Sequence, residues 1–190
     1  RPHAKTHKCL EIAHIQVNDE DPRLSVSTLA EARFFMDGGF TDICLAIPLS
    51  FGQIESALDL SRENPKFTTI IDHKSTLNLL QQKAAARSQQ ISVWLKVDCG
   101  YHRAGVDPKD RESVRLAHQI SDSPWTNFQG LLAHGGHAYA ARSFKEIRQF
   151  AQEERDQTLF MAHRLNKSGL TIPTSSIGST PSLVGIDHLN

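Results

Sequence analysis

Short apolar or β-branched runs alternate along this 190-residue chain with longer segments of helical period, and that alternation restricts the fold more than any other feature. It is the pattern of repeated strand-helix units around a parallel sheet. Runs at 24–27, 42–47, 67–71, 91–98, 128–134 and 171–177 read as strands, with a seventh ending at Lys5. Between them, Thr28-Leu29-Ala30-Glu31 has the Thr-x-x-Glu spacing in which each side chain can satisfy the other's orphan helix donor, and Gly38-Gly39 supplies a stop. Ile54, Ala57 and Leu58 share one face of a further helix, Val114, Ala117 and Ile120 mark another, and Phe144, Ile147, Phe150 and Ala151 open a long one. Segments 8–18 and 75–87 contain no helix breakers. Seven strands with six helices nearly suffice for a closed (β/α)8 barrel, which takes about 250 residues; an open doubly wound sheet fits the same alternation. The barrel is favoured because Lys5, Thr28 and the segments 98–103, 134–139 and 178–181 all follow the ends of different strands, and in a barrel those positions converge on one mouth.

Composition excludes several classes of partner. Lys plus Arg and Asp plus Glu number 21 each, so no basic surplus exists to neutralise phosphates or anionic lipid, and nucleic acid is not an expected partner. The apolar run 43–49 falls far short of the roughly 18 residues that a membrane span requires. Cys9, Cys44 and Cys99 are widely spaced without a Cys-x-x-Cys, which argues for reduced thiols and a cytoplasmic protein rather than a disulfide framework or a cysteine zinc site. The opening Arg1-Pro2-His3, already inside a motif, and the ending Asp187-His188-Leu189-Asn190 read as the edges of a fragment.

Four segments could bear chemistry. Arg1-Pro2-His3-Ala4-Lys5-Thr6-His7-Lys8 packs cations and histidines at a strand end; a partly desolvated lysine among positive neighbours has a lowered pKa and can attack an aldehyde, while a solvated basic turn is the plainer alternative. Lys96, Asp98 and Arg103 interrupt a buried-type strand, with Gly100 and Gly105 bracketing the loop, and fit catalysis or a structural ion-pair cluster equally. His134-Gly135-Gly136-His137-Ala138-Tyr139 could pack on a planar ligand, bind a metal, or hold structural histidines, although the diglycine argues against a helical metal pair. Ser175-Ser176-Ile177-Gly178-Ser179-Thr180-Pro181-Ser182 is a run of small residues whose N–H groups and hydroxyls could cradle a phosphate. A nucleophilic lysine, an arginine loop, His/Tyr groups and a phosphate cradle together suggest a phosphate-bearing aldehyde captured by an amine, pyridoxal phosphate.

These motifs, with Val26-Ser27-Thr28-Leu29-Ala30-Glu31-Ala32, occur in the order found in a known family. The chain resembles the barrel domain of the D-serine dehydratase and D-threonine aldolase family, fold-type III pyridoxal phosphate enzymes related to alanine racemase. The resemblance covers essentially all of residues 1–190 and implies an incomplete (β/α)8 barrel of the alanine racemase N-terminal type, with about seven strands present. It implies that Lys5 rather than Lys8 bears the cofactor, with His7 beside it; that Arg103 approaches the polar edge of the pyridoxal ring; that His137 and Tyr139 lie next to the cofactor; and that Gly178, Ser179 and Thr180 hold its phosphate. Two features of the family are missing from the sequence: a final barrel strand containing Arg-Pro-Gly, and a downstream β domain whose ligands bind zinc or manganese. The fragment alone is therefore expected to be inactive, and the full-length protein to be a homodimer.

For that protein the resemblance implies a lyase acting on a D-β-hydroxy amino acid, converting D-serine to pyruvate and ammonia or D-threonine to glycine and acetaldehyde. The segments 42–48 and 133–139 look closer to the dehydratase branch. A non-catalytic pyridoxal phosphate carrier of the homeostasis type is a rival from another class, but its lysine motif differs.

Overall fold

The computed structural model describes residues 1–17 and 22–186. Its helices are α1 (Leu10–Gln16), α2 (Leu29–Asp37), α3 (Ile54–Glu63), α4 (Lys74–Ala86), α5 (Arg111–Asp122), α6 (Phe144–Lys167) and α7 (Thr180–Gly185). The strands are β1 (Arg23–Val26), β2 (Asp42–Pro48), β3 (Thr68–Ile71), β4 (Ile91–Lys96), β5 (Thr126–Leu132) and β6 (Ser175–Ser176), and they follow one another in sheet order as they do in sequence. Sequential parallel strands with a helix in each crossover are what the alternating pattern dictates. The chain falls into two compact units, the first comprising residues 1–71, 75–93 and 123–127, the second 72–74, 94–122 and 128 onward.

In the first unit β1, β2 and β3 pair in parallel, with Leu24 opposite Ile43 and Cys44 opposite Thr68. All four residues of β3 are buried, as expected of a parallel strand covered on both faces. Leu24, Val26, Ile43, Leu45, Ile70 and Ile71 of the strands, with Phe35 of α2, Leu58 of α3 and Leu80 of α4, are all fully buried. Phe35 stands edge-on to Phe40, with ring centroids 5.6 Å apart. Phe35→Ala should cost about 3–5 kcal/mol of stability through lost burial and a residual cavity, measurable by urea unfolding.

The second unit is organised by α6, whose buried residues Ala151, Glu154, Thr158, Met161, Ala162 and Leu165 recur at helical spacing. Arg164 of α6 donates to the carbonyls of Pro108 and Asp110, and His118 of α5 lies 2.9 Å from the Ser168 hydroxyl. These bonds fix α5 and α6 side by side.

Three local expectations are corrected. The strand anticipated at Lys5 is a single parallel bridge, His3 opposite Ser25, because the His3 ring accepts the Lys5 N–H at 3.3 Å and turns the chain into a 3₁₀ helix over Ala4–Thr6. The strand anticipated over 171–177 contracts to Ser175–Ser176: Pro173 offers no donor, and pairing begins where the Thr174 carbonyl accepts the Leu131 N–H. Thr28 does cap α2 by accepting the Glu31 N–H at 3.0 Å, but the Glu31 carboxylate serves the Ser27 N–H at 2.8 Å and Lys8 at 3.1 Å instead of closing the reciprocal bond.

Candidate active site

In the first unit Lys5 sits on the 3₁₀ turn held by His3. The side chain is exposed, unlike the partly desolvated amine anticipated from the sequence, and its Nζ has no hydrogen-bond or ion-pair partner among the described residues. The neighbouring cation is neutralised, since Lys8 pairs with Glu31. Burial pushes the Glu31 carboxyl up, but the Ser27 N–H and Lys8 outweigh it and hold it below the ordinary glutamate range. His7 is fully engaged: Nδ1 accepts the Cys9 N–H at 3.1 Å, which leaves Nε2 to donate to the Gln16 side chain at 2.9 Å. Its role here is to fasten the turn to α1.

In the second unit β4 ends at Lys96 and the chain enters the loop bracketed by Gly100 and Gly105. The Asp98 N–H donates to Val106 and the Val106 N–H donates to Lys96, pinching the loop closed. Gly105 has φ +114°, and a Cβ there would lie 2.5 Å from the Asp98 nitrogen, so no other residue fits. Asp98 organises the interior by accepting the N–H groups of Gly100 and His102 at 3.0 Å each and the His102 ring at 2.8 Å. Burial pushes its carboxyl up; those donors outweigh burial and lower it. Asp98 is thus committed to its own loop, where its one ion-pair partner among the described residues is His102, and Lys96 makes no ion pair among them. The loop presents Arg103 over the face of Tyr101, 5.0 Å from the ring centroid, with no carboxylate partner among the described residues.

Lys96 is 5% exposed and its pKa falls to about 8, chiefly through burial, with Arg103 adding repulsion and Cys99, Glu154 and Asp98 resisting. A lysine whose folded pKa lies below its unfolded value of 10.5 costs stability when charged, and that cost is relieved as pH rises through the interval between the two. The interval from about 8 to 10.5 corresponds to about 3 kcal/mol. Lys96→Met should therefore be the more stable protein at pH 7, and the stability difference should shrink between pH 8 and 10.5 when unfolding is followed in urea.

His134 follows β5. Its Nδ1–H donates to the Gly178 carbonyl at 3.1 Å, which fixes the tautomer and leaves Nε2 as an acceptor; burial lowers its pKa and keeps the ring neutral. The His137 ring lies against Tyr101, centroids 5.9 Å apart, and edge-on to Phe150 at 4.6 Å; neither buried ring nitrogen has a hydrogen-bond partner among the described residues, the Glu153 carboxylate standing 3.7 Å from Nε2. Tyr101 can approach only because residue 136 is glycine, since a Cβ there would stand 2.8 Å from its ring carbon Cδ1. Tyr139 is 64% exposed, with its ring 6.5 Å from that of His134. Beyond β6, the Ser179 N–H goes to the Ser182 hydroxyl at 2.7 Å, and Thr180 is exposed. The metal alternative for the two histidines finds no support: no group of three or more His, Cys, Asp or Glu among the described residues could hold an ion.

The second unit thus connects Arg103, His134, His137, Tyr139, Gly178 and Ser179 through ring contacts and hydrogen bonds, while Lys5 and His7 belong to the first. The profile of the family described as "Alanine racemase, N-terminal domain" matches residues 2–190. The chain belongs to the alanine racemase N-terminal domain family. Among similar members, the D-serine dehydratase of Dictyostelium discoideum is 35% identical over 99% of this chain and 50% of its own length. The D-threonine aldolase of an Arthrobacter species is 32% identical over 96% of this chain and 48% of its own. The solved D-threo-3-hydroxyaspartate dehydratase from Delftia sp. HT23 superposes with a TM-score of 0.92 at 28% identity, covering 100% of this chain and 50% of that one. The alanine racemase N-terminal domain described here therefore spans about half the length of the curated relatives it matches.

Tyr101 and Glu154 take central places that sequence reasoning missed. Tyr101 joins the arginine loop to the histidine turn, and nothing in its immediate sequence marks it. Glu154 lies within the charged run Glu153-Glu154-Arg155-Asp156, which resembles a solvated helix face. Its spacing of three from Ala151 and four to Thr158, on the buried face, was the available signal.

Proposed function

We propose that this chain is the cofactor-binding barrel portion of a pyridoxal phosphate-dependent lyase acting on D-β-hydroxy amino acids, with D-serine, converted to pyruvate and ammonia, as the first candidate substrate. The observation supporting it most strongly is the 35% identity to a D-serine dehydratase across 99% of the chain. The donor set fits the cofactor chemically. Among the described residues Lys5 offers an unpartnered amine for an aldehyde and Arg103 a guanidinium without a carboxylate; in the Gly178-Ser179-Thr180 turn the N–H groups of Gly178 and Ser179 are already engaged, so the exposed Thr180 is the residue left to meet a phosphate.

When bound, the cofactor supplies an electron sink for negative charge developing at the substrate Cα. Lys5 is the residue that would hold it, and the same amine would be the base available to the proton on Cα. Arg103, held over the Tyr101 ring, would meet the polar edge of the cofactor ring. His134, held neutral with Nε2 as an acceptor, can receive a hydrogen bond but does not deliver a second cation. His137 and Tyr139 border the same turn, the former positioned by Tyr101 and Phe150. In this reading a β domain of the full-length protein would hold a divalent metal, zinc or manganese, which would supply Lewis-acid chemistry toward the β-hydroxyl. The same reading makes the full-length protein a cytoplasmic homodimer. No helix among the described residues is long and apolar enough to cross a membrane.

The aldolase reading is the second one, favoured by the 32% identity to a D-threonine aldolase. An assay of the full-length protein with D-serine and D-threonine separates the two: pyruvate supports the dehydratase, glycine plus acetaldehyde the aldolase. Absence of product from both removes the lyase assignment.

A further inference from the structure

Glu154 is 1% exposed, yet it projects from the middle of α6. A carboxylate so placed is costly unless its charge is met. Here the donors are main-chain: Oε1 accepts the Gly135 N–H at 2.7 Å and the Gly178 N–H at 2.9 Å. Those two glycines belong to the two turns that bear most of the candidate site, His134 to Tyr139 and Gly178 to Thr180. The same two turns are joined a second and third time, by the His134 ring to the Gly178 carbonyl and by the Ser179 hydroxyl to the Gly135 carbonyl at 3.3 Å. The room for the carboxylate is also specific, since a Cβ on residue 135 would lie 2.7 Å from Oε2. The Gly178 N–H, given to Glu154, is not a donor left over for a ligand.

We propose that Glu154 is a positioning residue: its buried carboxylate clamps the histidine turn to the glycine-serine-threonine turn, fixing the His134 ring and the phosphate-holding residues in one arrangement. The proposal rests on the pyridoxal phosphate reading above. Hydrogen bonds to an ionised acceptor are stronger than neutral ones, and two of them on one oxygen hold both turns at once. Loss of the carboxylate frees the Gly178 peptide to rotate, which disturbs whatever the turn holds and leaves contacts made elsewhere unchanged.

The test compares the full-length protein with Glu154→Ala and Glu154→Gln, the latter keeping an oxygen where both N–H groups point. Binding of pyridoxal phosphate and of pyridoxal, which has no phosphate, is measured for each, together with amide hydrogen exchange at Gly135 and Gly178. Glu154→Ala should weaken pyridoxal phosphate by about tenfold or more while changing pyridoxal less than about threefold, and should speed exchange at both glycines; about tenfold corresponds to about 1.4 kcal/mol. Glu154→Gln should restore most of the phosphate-dependent affinity. Equal weakening of both ligands, or unchanged exchange at Gly178, overturns the clamp. If Glu154→Ala fails to fold, Glu154→Gln decides: protection at Gly135 and Gly178 supports the proposal, and its loss in a folded protein contradicts it. Failure of the unaltered protein to bind pyridoxal phosphate is a different result, and it removes the cofactor reading instead.

Discussion

If the proposed function holds, Lys5→Ala is expected to lower lyase activity of the full-length protein at least about a thousandfold, since the change would remove both the attachment point of the cofactor and the proton acceptor for Cα. The substitution should be nearly silent in stability. Lys5 is exposed on a 3₁₀ turn, and its main-chain N–H, which bonds His3, is retained in alanine. The pairing of large catalytic loss with unchanged thermal midpoint distinguishes this account from one in which the basic turn is solvated surface. Lys8→Ala provides the contrast, because Lys8 is tied to Glu31 and its loss should affect local stability more than turnover. Steady-state pyruvate formation and a thermal melt of each variant are sufficient to separate the two.

Gly130→Ala should produce a loss of stability on the scale of that expected for Phe35→Ala. Gly130 lies in β5 with φ +121°, and an added Cβ would overlap the Thr174 carbonyl, standing 2.8 Å from its carbon. Left-handed backbone strain and overpacking against an unyielding main chain each cost about 1–3 kcal/mol, so a total of about 3 kcal/mol or more is expected. For a chain of this size that lowers the thermal midpoint by roughly 10 °C. Gly39→Ala isolates the first contribution: φ is +92° but nothing lies within 4 Å of a new Cβ, and the cost should be about 1 kcal/mol. Equal losses in the two variants would show that crowding at Thr174 contributes nothing.

Much of this architecture is legible in the sequence because local physics and fold agree. The Thr28 cap, the Gly38-Gly39 stop and the apolar period of α3 and α5 each announce an element that tertiary packing then uses. Gly100 and Gly105 bracket the arginine loop as expected, both with positive φ, since chain reversal at a strand end demands a conformation other residues avoid. The errors have equally specific causes. A strand could not be separated from a bridge plus a 3₁₀ turn at Lys5, because the deciding interaction is one His3 ring nitrogen. Lys96, Asp98 and Arg103 could be read as an ion-pair cluster, but Asp98 finds its donors within its own loop. Glu154 was hidden by its charged neighbours: helical spacing identifies the buried face, whereas residue type alone suggests solvent.

The site residues show the same division. Arg103, His134 and His137 are found on strand-following loops, as their spacing implied, while the contacts that aim them depend on Tyr101, Gly136 and Phe150, which come from three separate segments. His7, assigned to the cofactor by resemblance, spends both ring nitrogens on Cys9 and Gln16. A functional group can be inferred from a motif, but its availability is decided by neighbours that the motif does not contain.

The proposed function requires a single amine, on Lys5, to capture the aldehyde of pyridoxal phosphate. It is tested most directly by mixing the full-length protein with the cofactor, reducing with borohydride, and locating the added mass by peptide mass spectrometry. The account predicts one modified lysine, Lys5. Modification confined to Lys8 or Lys96, or no modification at all, would contradict it.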